Sequence, residues 1–388
     1  MSAILGTYAR RPISFSHGEG CYLYSTKNEK FLDFVSGIAV NALGHCHPHL
    51  VKRIEEQSKK LWHVSNAFEI PEQEMLAQRL VDNTFADYVI FMNSGAEATE
   101  ASIKIARKYF FEKGQPNKNR IITFKGAFHG RTIASLFAAN NPDHIKGFEP
   151  KVEGFDQVDF GDHDALKNAI NENTAAIMVE TILGEGGIRV IPDQCLVGLR
   201  KLCDEHDLLL ILDEVQCGIG RTGKFFAFEW AGIEPDIVPI AKGIGGGFPI
   251  GACLVNKKAG SGMKPGTHGS TFGGNPLATS VGNAVLDIIL EKDFLKNVVE
   301  VGEYFSSELE KIKNKYPEVI EEVRGKGLVK GIKLKKENTE FLNELFQEKL
   351  LAVKASDNVV RLLPPLIVTK DEINKAVSII EKICEKLT

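Results

Sequence analysis

The chain has 388 residues, 43% hydrophobic and 25% charged, the balance of a folded protein long enough for two or three domains and unlike that of a disordered chain. Its net charge of -4 disfavours a nucleic-acid binder, and no run approaches the roughly 18–20 apolar residues of a membrane span, so neither partner is expected. The seven cysteines are scattered and never form a CxxC pair, which excludes a disulfide framework and a zinc ribbon and suits a reduced, cytoplasmic setting.

Arg10-Arg11 is followed by no apolar stretch and is not read as an export signal. Residues 1–50 hold short strand-like pieces, too few to stand alone, and are expected to pack with the C-terminal domain. His45, His47 and His49 alternate beside Cys46, but Gly44 and Pro48 make an irregular turn there, and no metal is expected. Residues 51–280 alternate strands and helices. The strand candidates are 88–92, 120–124, 175–180, 208–213, 236–240 and 251–255, mostly apolar on both faces. Helical stripes fill 96–111, through Ala98, Ala101, Ile105 and Tyr109, and 193–206. This alternation predicts an α/β domain with a mostly parallel sheet.

Residues 281–388 predict a smaller α+β domain. A long, charged, amphipathic helix is expected over 281–315. Strands are expected at 328–334 and 359–362 around a helix near 337–349. Thr369 with Glu372 forms a capping box for a final helix that buries Ile373, Ala376, Val377, Ile380 and Ile383.

The glycines at Gly218, Gly220 and Gly223 match GxGxxG, but Asp213-Glu214 intervenes after the strand and would repel a pyrophosphate. A glycine-rich surface turn is the expectation there. Four other features carry more chemistry. Asn93-Ser94-Gly95-Ala96-Glu97 ends a strand and opens a helix, as a phosphate cradle or as a plain capping box. Asp213 ends an apolar strand, where a carboxylate needs a cationic partner; a salt bridge or a helix cap would also account for it. Lys242, before a run of glycines, is either a solvated turn residue or a desolvated, nucleophilic amine. Phe128 with Arg131 and Glu185 also follow strand ends. In a parallel sheet these ends share one edge, so the weak signals converge on an anion cradle, an aromatic plate, a buried carboxylate and a reactive lysine. That set suits pyridoxal phosphate.

The segments GIAVNALGHCHP, NSGAEATEASIKIAR, FHGRT, ETILGEGG, ILDEVQCGIGRTG, AKGIGGGFPIGA, HGSTFGGNPLA and VRGKGL stand in order over nearly the whole chain. In them the chain resembles the class III pyridoxal-phosphate aminotransferases. The resemblance implies the fold-type I (aspartate aminotransferase-like) architecture and a homodimer with active sites at the interface. It implies that Lys242 binds the cofactor aldehyde, that Asp213 pairs with the ring nitrogen, and that Gln216 reaches the ring's phenolic oxygen, with Val215 a further contact. Gly95 and Ala96 would hold the phosphate, with Ser94 capping, and Phe128 would stack on the ring. Thr271 of the partner subunit would complete the phosphate site, with Ser270 touching substrate. Arg131 would bind the donor's carboxylate and Arg361 the α-carboxylate of glutamate or 2-oxoglutarate. Glu185 would neutralise Arg361 when the other substrate binds. The implied reaction moves the terminal amine of N2-acetyl-L-ornithine to 2-oxoglutarate, in arginine biosynthesis. Succinyl-diaminopimelate, succinylornithine, ornithine and 4-aminobutyrate are the alternative donors. Ile38, where ornithine-using members carry an aromatic residue, favours an acylated amine.

Overall fold

The computed structural model describes residues 3–388. Its main sheet has seven strands, in the spatial order Tyr88–Met92, Gly251–Val255, Ile237–Ile240, Leu209–Asp213, Thr174–Glu180, Arg120–Phe124 and Phe155–Val158. All pairings are parallel except those of Gly251–Val255, which runs antiparallel to both neighbours. Every residue of Thr174–Glu180 and Leu209–Asp213 is buried, which is why these strands carry no polar face. The register sets Asp213 beside Glu180, so two carboxylates end adjacent strands.

The helix Gly95–Glu112 buries Ala98, Ala101 and Ile105 against the sheet and leaves Tyr109 half-buried. Near the N-terminus, Phe15–Glu19, Tyr22–Ser25 and Lys30–Asp33 form an antiparallel sheet. Its last strand pairs in parallel with Leu350–Leu351, and Leu363 donates its backbone N–H to Phe34 O. The first residues therefore hydrogen-bond to the last third of the chain. There a further sheet runs in the order Ile320–Lys326, Val329–Leu334, Val359–Leu362 and Val353–Ala355. Thr369 and Glu372 cap the final helix, Lys370–Leu387, reciprocally, as their spacing predicts.

The structure differs from the sequence expectations in particular places. The helix expected over 281–315 is two helices, Pro276–Ile289 and Phe294–Lys315, broken where Asp293 takes a left-handed φ of 68°. The first is almost wholly buried against Pro48–Ser58 and Pro71–Asp82, while the charged stripe belongs to the second. The strand Ile320–Lys326 escapes sequence analysis because its half-exposed, charged residues show no apolar run.

The glycines Gly218–Gly223 are not a surface turn but buried. A β-carbon on Gly223 would lie 2.4 Å from Val299 Cγ2, and one on Gly220 2.9 Å from Leu295 Cδ2. These glycines let the loop pack directly against the helix Phe294–Lys315 and leave no room for a nucleotide. The three alternating histidines also diverge. His45 bonds Asp33 at 2.8 Å, His47 caps the helix Pro48–Ser58, and His49 bonds Asp287 at 2.8 Å.

Lys330 is buried in Val329–Leu334, and among the described residues its ammonium hydrogen-bonds only the Ser306 hydroxyl. Burial lowers its pKa from 10.5 to about 8, which makes charging it in the fold cost roughly 3 kcal/mol. The depressed pKa means that stability from this group rises with pH between those two values. Lys330→Met is expected to raise the melting temperature by a few degrees at neutral pH, and the gain should shrink in alkaline buffer. Calorimetry at both conditions checks this.

Candidate active site

The C-terminal ends of five strands of the main sheet meet at a cavity of about 420 Å³. Met92 leads into Ser94–Ala96, Phe124 into Phe128–Arg131, Glu180 into Glu185, Asp213 into Val215-Gln216, and Ile240 into Lys242; all of these destinations line the cavity. Val40 and the segment 247–250 complete the wall.

The Asn93–Glu97 segment is a capped helix start on the cavity wall. Ser94 Oγ accepts the Glu97 N–H at 3.2 Å, and Glu97 reaches back to the Asn93 N–H at 2.6 Å, so the helix start is capped. The N–H groups of Gly95 and Ala96 have no intrahelical acceptor, and both residues line the cavity at the positive end of an 18-residue helix. Gly95 is required here, since a β-carbon would stand 2.7 Å from Val215 Cγ1.

Asp213 has the partner its burial demands. The His129 Nδ1–H donates to Asp213 Oδ2 at 2.8 Å, and Val215 N–H donates to Oδ1 at 3.0 Å. Burial opposes a charge on His129, but the hydrogen bond and charge of Asp213, with Glu180, prevail and raise its pKa. Glu180, buried beside them, is raised to about 7, chiefly by burial; it accepts the N–H groups of Phe128 at 2.8 Å and Gly184 at 3.1 Å. Sequence reasoning missed both His129 and Glu180. The signal for His129 lay between Phe128 and Gly130 in a motif already singled out, and for Glu180 in its place as the polar end of an apolar strand.

Lys242 takes a φ of 47° at the start of a tight turn. Among the described residues its amine has no hydrogen-bond or ion-pair partner. Burial, then the nearby Arg361 charge, lowers its pKa, which enlarges the neutral, nucleophilic fraction. Gln216 Oε1 is likewise buried and unpartnered at the cavity.

Arg361 is buried behind the cavity lining. Its Nη2 donates to Glu185 Oε1 at 2.9 Å, while among the described residues Nε and Nη1 have no partner. Glu185 lines the cavity and remains 39% exposed, against 2% for Arg361, so the carboxylate is the freer member of the pair. Arg131 lines the mouth, over the Phe128 ring at 5.7 Å and 3.1 Å from His144 Nε2. Ser270 lies outside this lining but accepts from Asn93 Nδ2, on the cavity wall, at 3.0 Å. Thr271 is exposed and outside the cavity of its own chain.

A helix N-terminus, an unpaired lysine amine, a buried carboxylate and an aromatic side chain, Phe128, around one cavity fit a phosphorylated aromatic aldehyde. The orphaned Gln216 oxygen and the unpartnered Lys242 amine are the groups such a molecule would satisfy.

The family model for class-III aminotransferases matches residues 7–384, and the chain belongs to that family. Its members work with pyridoxal phosphate. The chain is 56% identical to the acetylornithine aminotransferase of Agrobacterium fabrum, over 99% of this chain and 96% of that one. It is 58% identical to that of Mesorhizobium japonicum, over 97% and 94%. Among solved structures, N-acetylornithine aminotransferase from Stenotrophomonas maltophilia superposes with a TM-score of 0.85 at 35% identity, over 98% and 97% of the two chains. An ornithine aminotransferase from Toxoplasma gondii superposes at 0.95 and 31% identity, over 99% and 93%.

His129→Ala would leave the Asp213 carboxylate buried without its cationic partner. The expected loss is roughly 3–5 kcal/mol of stability, read from urea unfolding against the wild type. Because the pKa of His129 is raised, its contribution is complete below the ordinary histidine pKa and fades as pH rises through the raised value. The deficit of the variant should shrink correspondingly in alkaline buffer.

Proposed function

We propose that the enzyme moves the terminal amine of N2-acetyl-L-ornithine to 2-oxoglutarate, giving N-acetyl-L-glutamate 5-semialdehyde and L-glutamate, a step of arginine synthesis. The observation that carries this reading is the Arg361–Glu185 ion pair beside an unpaired lysine amine. Two substrates must present carboxylates at different distances from one reacting amine. A cation that is neutralised for one substrate and free for the other meets that need. The acyl group of the donor is supported by the relatives at 56–58% identity and by Ile38, half-buried in the turn that leads to Val40.

The roles follow from the chemistry of each side chain. The N–H groups of Gly95 and Ala96, with Ser94 as cap, would hold the phosphate, and Phe128 and Val215 would contact the ring. Asp213, fastened by His129, would keep a proton on the ring nitrogen, and Gln216 would reach the ring's phenolic oxygen. When bound, pyridoxal phosphate supplies the electron sink that stabilises negative charge on the substrate carbon. Lys242 Nζ would take the proton from the donor carbon that bears the amine, as general base, and in the second half-reaction would deliver a proton to the α-carbon that becomes that of glutamate, as general acid. Arg131 binds the donor's α-carboxylate while Glu185 neutralises Arg361. Glu185 swings aside when Arg361 takes the α-carboxylate of 2-oxoglutarate.

The same reading makes the enzyme a cytoplasmic homodimer. The exposed Thr271 would complete the phosphate site of the partner, and Ser270 would touch substrate. It divides the chain into an N-terminal segment, 1–50, a large cofactor-binding domain, 51–280, and a small domain, 281–388. The hydrogen bonds from Phe34 and Leu32 to the last third of the chain support joining the first segment to the small domain.

The first test is visible absorbance of the purified enzyme. A yellow band should bleach on adding N-acetylornithine without a keto acid and return with 2-oxoglutarate. A protein with no band after reconstitution with pyridoxal phosphate would sink the reading, and preferential bleaching by ornithine or 4-aminobutyrate would move the donor. Lys242→Ala is expected to reduce turnover by roughly 10²–10⁴-fold or more, measured as glutamate formed.

A further inference from the structure

Glu185 and Arg361 come from distant parts of the chain, 176 residues apart. Glu185 stands in the loop between the short antiparallel strands Ile182–Leu183 and Arg189–Val190. Arg361 stands on Val359–Leu362, which pairs with Val353–Ala355 through a turn at Asp357 and Asn358, both with positive φ. The loop and this hairpin are fastened to each other by backbone as well as side chains. Ser356 N–H donates to the carbonyl of Glu185 itself at 2.9 Å. Arg324 Nη1 donates to Gly187 O at 3.0 Å and pairs with Asp357 Oδ2 at 2.7 Å, so one guanidinium holds both the loop and the hairpin turn.

The packing leaves no slack. A β-carbon on Gly187 would lie 2.8 Å from Ser356 O and 3.1 Å from Asp357 Cβ. Ile188, fully buried, holds a φ of 54°, a conformation β-branched residues rarely adopt. It is pressed onto Gly331, where a β-carbon would stand 2.9 Å from Ile188 Cβ. Gly331 is the cross-strand partner of Arg361. The backbone on both sides of the ion pair is thus one docked body, while the Glu185 carboxylate keeps its exposure.

We propose that Arg324 and Asp357 are positioning residues for substrate exchange: they latch the Glu185 loop to the Arg361 hairpin, so that the ion pair opens by rotation of the Glu185 side chain over a fixed backbone. This rests on the reading of Glu185 and Arg361 as an exchangeable pair. With the latch loosened, Glu185 neutralises Arg361 less often. The donor half-reaction, which needs the pair closed, should suffer; the 2-oxoglutarate half-reaction, which needs it open, should not.

The experiment follows each half-reaction separately by cofactor absorbance in the holoenzyme, for Glu185→Gln, Arg324→Met and Asp357→Asn. Asparagine tolerates the positive φ of 59° at Asp357, which keeps the turn intact should Arg324→Met fail to fold. The expected result for both latch variants is a roughly 3–10-fold fall in kcat/KM for N-acetylornithine with that for 2-oxoglutarate unchanged or higher, in the same direction as Glu185→Gln. Amide hydrogen exchange over residues 184–188 should be faster in the latch variants and unaltered in Glu185→Gln. A split in Glu185→Gln with none in either latch variant, or with unchanged exchange, overturns the latch and leaves the exchangeable pair standing. Equal effects of Glu185→Gln on both half-reactions overturn the pair itself, and with it the latch.

Discussion

A carboxylate at the end of an all-apolar strand is stable only with a cation held against it, and the architecture around Asp213 follows from that constraint. His129 must come in from the connection after Arg120–Phe124, two strands away, to meet it, and it arrives on the same short segment that carries Phe128 and Arg131. Glu180 holds that segment by accepting the Phe128 N–H and holds the next one by accepting from Gly184. One buried acid therefore sets the place of the aromatic wall, the mouth arginine and the loop leading to Glu185.

The same edge of the sheet concentrates backbone that few residues tolerate. Lys242 at φ 47° and the left-handed turn from Ser36 through Ala39, which leads to Val40, lie at the cavity. Non-glycine residues in this region cost on the order of 1–3 kcal/mol each, so the surrounding packing has to over-determine them. Asp33 does this for the turn at Ser36: one carboxylate oxygen accepts the Val35 and Ser36 N–H groups and the other binds His45. A histidine that looks like a metal ligand by spacing is instead part of a clamp on strained backbone.

Close approach is the other recurring device. The buried Gly218–Gly223 loop touches the helix Phe294–Lys315, and Gly327 meets Thr222 Cα within 2.5 Å of where its β-carbon would be. Arg221, buried in that loop, donates to the carbonyl of Pro364, three residues past Arg361. The part of the chain that holds the cradle and the part that holds Arg361 are thereby in direct backbone contact. A glycine pattern that in isolation resembles a phosphate loop serves contact between two layers of the same protein.

What the sequence determined by itself is local and contiguous. Apolar runs ending at Phe124, Glu180, Asp213 and Ile240 mark buried strands, because a strand covered on both faces has no polar side to show. Thr369 with Glu372 marks a helix start, because both partners of the cap lie within one turn. The order of the motifs identified the class of chemistry, and most of the residues they pointed to line one cavity. Tertiary structure alone decided the rest. The His129–Asp213 pair spans 84 residues and the Arg361–Glu185 pair 176, and no local pattern encodes which distant group meets a buried charge. Whether the glycines near Gly220 faced solvent or another helix depended on what packed over them, and so did the break at Asp293 between a wholly buried helix and an amphipathic one. Backbone preference is a property of a few neighbouring residues, whereas burial and charge pairing are properties of the whole fold, and the chemistry of this site depends on the second kind.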